Sequence, residues 1–414
     1  MTVTSPAVKP GNLRRYTPFR AFTPESLIVA AGQAELVALA SGERLLARGA
    51  EAPLEYFLMR GELELIDPQG QSHRLVAGAS DAALPIAAAR PATYDVVAAG
   101  SALCFVLPRY VIELLASDTP DSGASVEDLT AELTQTREFF EDFRRDLEAG
   151  RVTLPPCPDL ARSIRRAVES HRHSAKDIAR IISVDPAIAA RVLKVANSPV
   201  FRGRRPVELL PEAVTRIGMH TVAELVVCFT LRDVVRTEDP RLKRHFRANL
   251  EEAVNVAALA ETIAAETRHA DADAAMVAGL LHNIGFVPIL EYATRHPAYT
   301  HNFELIRKAG RNYAGEVGRR LAEDWALSER YWQTLAHARD FGYAPADGGD
   351  LTSLVVSARY LFLGRRHGYE VLPEPRRVPA ITATLGSDFS ADRGAAIAEA
   401  ARESVVALQD LIMG

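Results

Sequence analysis

The chain has 414 residues, which at about 150 residues per domain points to two or three domains. Hydrophobic residues make up 48% and charged residues 24%, so wholesale disorder and collagen-like repeats are excluded. Lys+Arg 48 against Asp+Glu 53 gives a net charge of −5, which argues against a generally basic coat for nucleic acid. The opening Met1–Tyr16 has no apolar core of a secretory signal, so none is expected. The apolar stretch near Val96–Leu107 falls short of the ~20 residues that cross a bilayer, and no membrane contact is expected. Cys104, Cys157 and Cys228 lie far apart, are odd in number and lack metal-site spacing, as expected of the reducing cytoplasm.

The first 25 residues carry Pro, Thr and Arg without periodicity, which predicts a loose tail over 1–25. From Glu43 to Leu107 the pattern is β-like. Glu62-Leu63-Glu64-Leu65 alternates with period two, Asp67-Pro68-Gln69-Gly70 reads as a turn, and Thr93–Ala98 and Ala102–Leu107 continue the strands. Gly49 and Gly61 bracket Leu54–Leu58, as two strands joined by glycine-permitted bends would require. A helix is expected from Arg109 to Ala116. Asp118–Ala124 has the composition of a linker, and from Ser125 onward everything reads helical.

Ser174-Ala175-Lys176-Asp177 is a capping box. Asp185-Pro186 sets an N-cap acceptor before a Pro at the first helical position, and Asn197-Ser198-Pro199 stops that helix. Ala213–Ile217 ends at Gly218. Further helices are expected at about 244–267, 272–282, 313–325, 328–338, 350–364 and 391–412. The expected divisions are a β-rich region over 26–117, a linker and connecting helix over 118–150, and an all-α region over 151–414.

Over Leu36–Leu115 the chain resembles the cyclic-nucleotide-binding domain, a β-roll. That family's cassette opens with Gly-Glu, whose carboxylate meets a ribose hydroxyl, and an Arg nine or ten residues on neutralises the cyclic phosphate. The resemblance places Arg90 on the phosphate-binding Arg and Asp81 on the ribose-binding Glu, with Ser80 in place of the Gly. Asp reaches about one methylene less far, and the Cβ of Ser80 crowds the backbone approach. A nucleotide second messenger, if it binds, is expected to bind weakly. In the plainer reading Arg90 merely caps a loop and the β-roll is a sensory relic or supports a homodimer.

Five separated elements, Leu154–Pro158, Ile178–Ile182, Asp185–Ile188, Leu193–Ser198 and Ala213–Gly218, occur in an order and spacing that resemble the HDOD domain over about Arg151–Phe341. That family is a helical output module of bacterial signalling proteins, related to the metal-dependent HD phosphohydrolases. The resemblance continues through Ala274–Gly285. There the HD enzymes end a helix in His-Asp and bind one or two divalent metals, for which imidazole and carboxylate supply strong donors. Here His282 is kept, but Asn283 stands in place of the Asp, and a neutral amide is a far weaker ligand. The upstream positions matching the ligand His are Ala248 and Asn249, so that ligand is also absent, and His337 stands alone near the end of a later helix. Two histidines without the carboxylate do not make a hydrolytic centre, so no metal and no other cofactor are expected. His282 then reads as a packed histidine, the alternative being a residual ligand shared with Glu316 or His337. Asp185, Pro186, Asn197, Ser198 and Gly218 are family-motif positions read as structural.

No phosphate loop, nucleophile elbow or dinucleotide fingerprint is present. His171 and His173 read as surface histidines, and Asp271 and Asp273 as acids at a helix start. Arg202, Arg204 and Arg205 form the most basic loop, able to meet a phosphate or an acidic partner, although only five of the 48 basic residues are Lys and Arg clusters are therefore common. The expected fold is a multidomain α+β chain: a β-roll followed by a larger all-α HDOD domain. The function implied by the resemblance is non-catalytic signalling through protein partners, without direct DNA binding. The alternative is a metal-dependent phosphohydrolase or phosphodiesterase acting on nucleotides or cyclic dinucleotides.

Overall fold

The computed structural model describes residues 8–412 apart from 51, 53, 68–69, 89–91, 117, 119–122, 155–156, 200, 202–204, 235–238, 297–302, 346–347 and 370–371. It divides into two compact units. The first comprises Met1–Arg151 with Asn302–Asn312, the second Val152–His301 with Tyr313–Gly414.

In the first unit, short helices α1 (Pro10–Leu13) and α2 (Pro24–Gln33) precede strands β1 (Glu35–Leu39), β2 (Arg44–Leu46), β3 (Leu54–Arg60), β4 (Glu62–Ile66), β5 (Ser72–Val76), β6 (Asp95–Ala98) and β7 (Ala102–Pro108). All pairings are antiparallel, in sheets ordered β1-β7-β3 and β2-β6-β4-β5. Gly61 carries the chain from one sheet to the other at φ +86°, where a Cβ would lie 2.3 Å from the Ser101 carbonyl oxygen. No other residue fits there. Leu58, Leu63, Leu75, Ile86 and Val96 fill the roll interior. The Asp67–Gly70 turn falls partly outside the described residues.

Residues 8–22 do not form the expected loose tail. Leu13, Tyr16, Phe19 and Phe22 are buried against Phe57 and Phe105. The three aromatics are spaced by three, the period at which side chains line up in 3₁₀ turns such as Thr17–Phe19. Phe19 meets Phe22 and Phe57 edge-on with ring centroids 5.2 and 5.3 Å apart. After α3 (Arg109–Ala116), helix α4 (Val126–Glu148) opens with a Ser125–Asp128 capping box. The stretch expected to connect domains instead packs Leu129 and Leu133 into the core of the first unit, because an amphipathic helix must bury its apolar face somewhere.

The second unit is helical: α5 (Asp159–Glu169), α6 (Ala175–Ile182), α7 (Pro186–Ala196), α8 (Leu210–Ile217), α9 (Met219–Val234), α10 (Pro240–Thr267), α11 (Ala272–Leu281), α12 (Phe286–Arg295), α13 (Phe303–Asp324, whose first turns are counted with the first unit), α14 (Trp332–His337), α15 (Leu351–His367), α16 (Pro379–Leu385), α17 (Ala391–Ala400) and α18 (Arg402–Ile412). Sequence reading did not foresee α16, and the single helix expected over 391–412 is two, parted at Ala401. Ala272–Arg295 is apolar and long enough by composition to cross a membrane, but 94% of its most apolar window is buried inside the protein. The Ser174–Asp177 box forms as expected. Asp185 Oδ1 accepts from the N–H groups of Ala187 (2.9 Å) and Ile188 (3.1 Å), and Pro186 opens α7.

Candidate functional site

Two of the remnant HD positions, His282 and Asn283, lie where α10 and α11 touch. A Cβ on Gly279 would sit 2.4 Å from the Ala257 Cα, so glycine lets the two backbones meet and sets His282, at the end of α11, beside α10. His282 is 2% exposed. Its Nδ1 bonds to the Gly279 carbonyl oxygen at 2.7 Å, and its Nε2 lies 3.6 Å from Glu252 Oε1 on α10. That separation is too long for a hydrogen bond. Burial pushes the imidazole below its ordinary value, and Glu252 pulls it back only in part.

Glu252 is the centre of the arrangement. Arg359 on α15 donates from Nε to Oε1 at 2.9 Å, and Arg339 Nη2 lies 4.0 Å from the same oxygen. Burial alone would raise this carboxyl; Arg359, His282 and Arg339 together hold it well below the usual carboxylate range. Asn283, 2% exposed, donates from Nδ2 to the Asn249 carbonyl oxygen at 3.0 Å. The amide thus uses its donor end where a catalytic Asp would offer an anion.

Neither Glu252 nor the two arginines stood out in the sequence. A signal was available. Glu252 lies three residues after Asn249 and four before Val256, on the buried face of α10, and Arg359 interrupts the wholly buried run Leu354–Leu361. A charge inside a buried periodic run needs a partner.

The other remnant positions are elsewhere. The His337 ring lies 5.2 Å from that of Tyr343, and burial lowers its pKa against an opposing pull from Asp350. Glu316 is held by Arg320 at 2.6 Å. Among the described residues, no three His, Cys, Asp or Glu side chains are grouped to hold a metal ion. The residues present do not fit the metal pair of the HD enzymes. One imidazole lone pair and one carboxylate face each other, that carboxylate is already engaged by a guanidinium, and a second guanidinium adds positive charge where a divalent cation would have to sit.

Asn197 closes the loop after α7, donating to the carbonyl oxygens of Leu193 (3.1 Å) and Val207 (2.7 Å) and accepting from the Val207 N–H (2.7 Å). Gly218 ends α8 at φ +90°. Arg202 and Arg204 lie outside the described residues; the Arg205 carbonyl oxygen accepts from Arg216 at 2.7 Å. Of the pair assigned to nucleotide binding, only Asp81 falls within the described residues. Asp81 Oδ1 accepts from the Ala82 N–H, Oδ2 lies 3.3 Å from His73 Nε2, and Arg90 is outside the described residues. A neighbouring carboxylate was missed. Glu55, 6% exposed on β3, is bound by Arg109 Nε at 2.6 Å, and Arg109 Nη2 also donates to the Ala88 carbonyl oxygen.

The HDOD domain model matches residues 154–341. A curated relative, an uncharacterized protein of Treponema pallidum, is 24% identical over 265 residues, 58% of this chain and 51% of the relative. The chain thus spans about half the length of that relative. A Shewanella amazonensis SB2B structure, provisionally named a metal-dependent phosphohydrolase, superposes with TM-score 0.58 at 22% identity, over 66% of this chain and 99% of that one. A cyclic-nucleotide-binding-like protein of Brucella abortus matches at 21% identity and TM-score 0.22, over 26% of this chain and 97% of its own. By that family match residues 154–341 are an HDOD domain, preceded along the chain by a β-rich region of two antiparallel sheets.

Proposed function

We propose that the chain is a non-catalytic signalling protein of the bacterial cytoplasm. In this reading the β-rich unit receives an input and the HDOD domain meets a partner signalling protein. The observation that carries it is the Glu252–Arg359–Arg339 cluster, in which protein cations surround the carboxylate beside His282. A hydrolytic centre of the HD type needs a metal with an open position to activate water. Guanidinium groups hold charge permanently and have no such position to offer.

The mechanism would be conformational. An input shifts the population of HDOD arrangements only to the extent that it binds one arrangement more tightly than another. A net charge of −5 supports protein partners over DNA. Self-association as a homodimer is compatible with this role. The test is turnover of cyclic AMP, cyclic GMP and cyclic di-GMP by the purified full chain with Mg²⁺ or Mn²⁺. The proposal expects no hydrolysis above background. Turnover that disappears in His282→Ala would establish the phosphohydrolase alternative instead.

A further inference from the structure

The end of α7 and the last helix, α18, form an open pocket of about 460 Å³ lined by Leu193, Lys194, Asn197, Ser198, Ala407, Asp410 and Leu411. The volume lies in the usual range for small-molecule sites, about 300–1,000 Å³. None of these residues belongs to the HD remnant.

The polar groups are few and of opposite kinds. Ser198 is 7% exposed, and its Oγ has no hydrogen-bond partner among the described residues. A hydroxyl removed from water and left unpaired is costly, so this one is poised to bond something that enters. Lys194 Nζ lies 3.9 Å from Asp410 Oδ2 and 3.3 Å from the Asp410 carbonyl oxygen. Both charged side chains are more than half exposed, at 55% and 67%, and stand at the mouth. The side chain of Asn197 is fully used in closing the 197–207 loop, so it shapes the wall without offering a free donor. The C-terminal ends of α7 and α18 both lie here, and the negative end of a helix dipole favours a cationic group. Leu193, Ala407 and Leu411 supply the apolar remainder.

We propose that this pocket binds a small zwitterion with an apolar side chain, a free α-amino acid or a dipeptide. A simple anion entering the site meets repulsion from Asp410, and a simple cation meets repulsion from Lys194. A zwitterion satisfies both, with its ammonium toward Asp410 and the helix ends, and its carboxylate toward Lys194 Nζ and the Ser198 hydroxyl. The apolar side chain then covers Leu193, Ala407 and Leu411.

The experiment is calorimetry of the full chain with L-leucine, L-methionine and L-phenylalanine, each titrated separately to about 10 mM. Two leucine analogues, 4-methylpentanoate without the ammonium and 3-methylbutylamine without the carboxylate, are titrated alongside. At least one amino acid should bind saturably. If that is leucine, each analogue should bind about ten- to a hundredfold more weakly, the loss expected when one charge-assisted contact is removed. Lys194→Met, Asp410→Asn and Ser198→Ala should each weaken binding of the amino acid, and the melting temperature, measured in parallel, should hold because the two charged side chains are largely exposed. No binding by any of the three amino acids, leucine analogues that bind as tightly as leucine, or binding that survives both Lys194→Met and Asp410→Asn would each overturn the proposal.

Discussion

Replacing Arg359 with Met removes the cation nearest Glu252 while keeping an unbranched chain of similar length. The side chains of Arg359 and Glu252 are 9% and 16% exposed, so solvent screens the pair little. With charge centres about 4 Å apart and an effective dielectric near 20, their attraction is about 4 kcal/mol. Arg339, 4.0 Å from the same carboxylate oxygen, offsets part of the loss. The expected destabilisation is roughly 2–4 kcal/mol, in line with breaking a buried pair by deleting one member. Trp325 and Trp332, the chain's two tryptophans, both lie in the helical unit, so their fluorescence during urea unfolding reports that unit alone. Glu252→Gln should also destabilise, and the double variant should be more stable than the sum of the two losses implies. A loss below about 0.5 kcal/mol for Arg359→Met, or strict additivity, would refute the view that this carboxylate depends on its guanidinium.

Burial raises the Glu261 carboxyl on α10 from 4.5 to about 7, with Asp273 adding to the rise and the Ser404 hydroxyl easing it. A raised folded-state value means that stability present below pH 4.5 is lost as pH rises through about 7. Glu261→Gln should therefore stabilise the helical unit at pH 8, by up to roughly 3 kcal/mol, and change little at pH 4; equal effects at both values in melting experiments would contradict this. Asp185→Ala should cost about 0.5–2 kcal/mol through loss of the α7 cap, and an unchanged melting temperature would show that the cap does nothing. Cyclic AMP and cyclic GMP should give no saturable calorimetric signal up to about 1 mM; micromolar binding lost in Asp81→Ala would reverse the reading of the β-roll.

What was legible in the sequence is what depends on near neighbours. The Ser174–Asp177 box and the Asp185-Pro186 start need only residues within three or four positions, and both form. The alternation Glu62–Leu65 is local in the same way, and it forms β4. Glu252 and Arg359 are 107 positions apart, so no window on the chain shows them as partners. Only the misfit of each charge in its own buried run gave warning. Residues 8–22 were misread for a related reason. Their aromatics recur every three residues, outside the helical and strand periods that the reading sought, and their burial depends on Phe57 and Phe105 arriving from β3 and β7. Of the candidate site, Asn283 at the position where the resemblance expects Asp was legible, whereas the Glu252–Arg359 pair was not.

In the proposed function, guanidinium groups stand where the related enzymes bind metal. The most direct measurement is a calorimetric titration of the full, metal-stripped chain with Mn²⁺ at neutral pH. The account predicts no saturable binding up to about 1 mM, because Arg359 and Arg339 already compensate Glu252 and Asn283 turns its donor inward. One equivalent of Mn²⁺ bound tightly, and lost in His282→Ala, would contradict it.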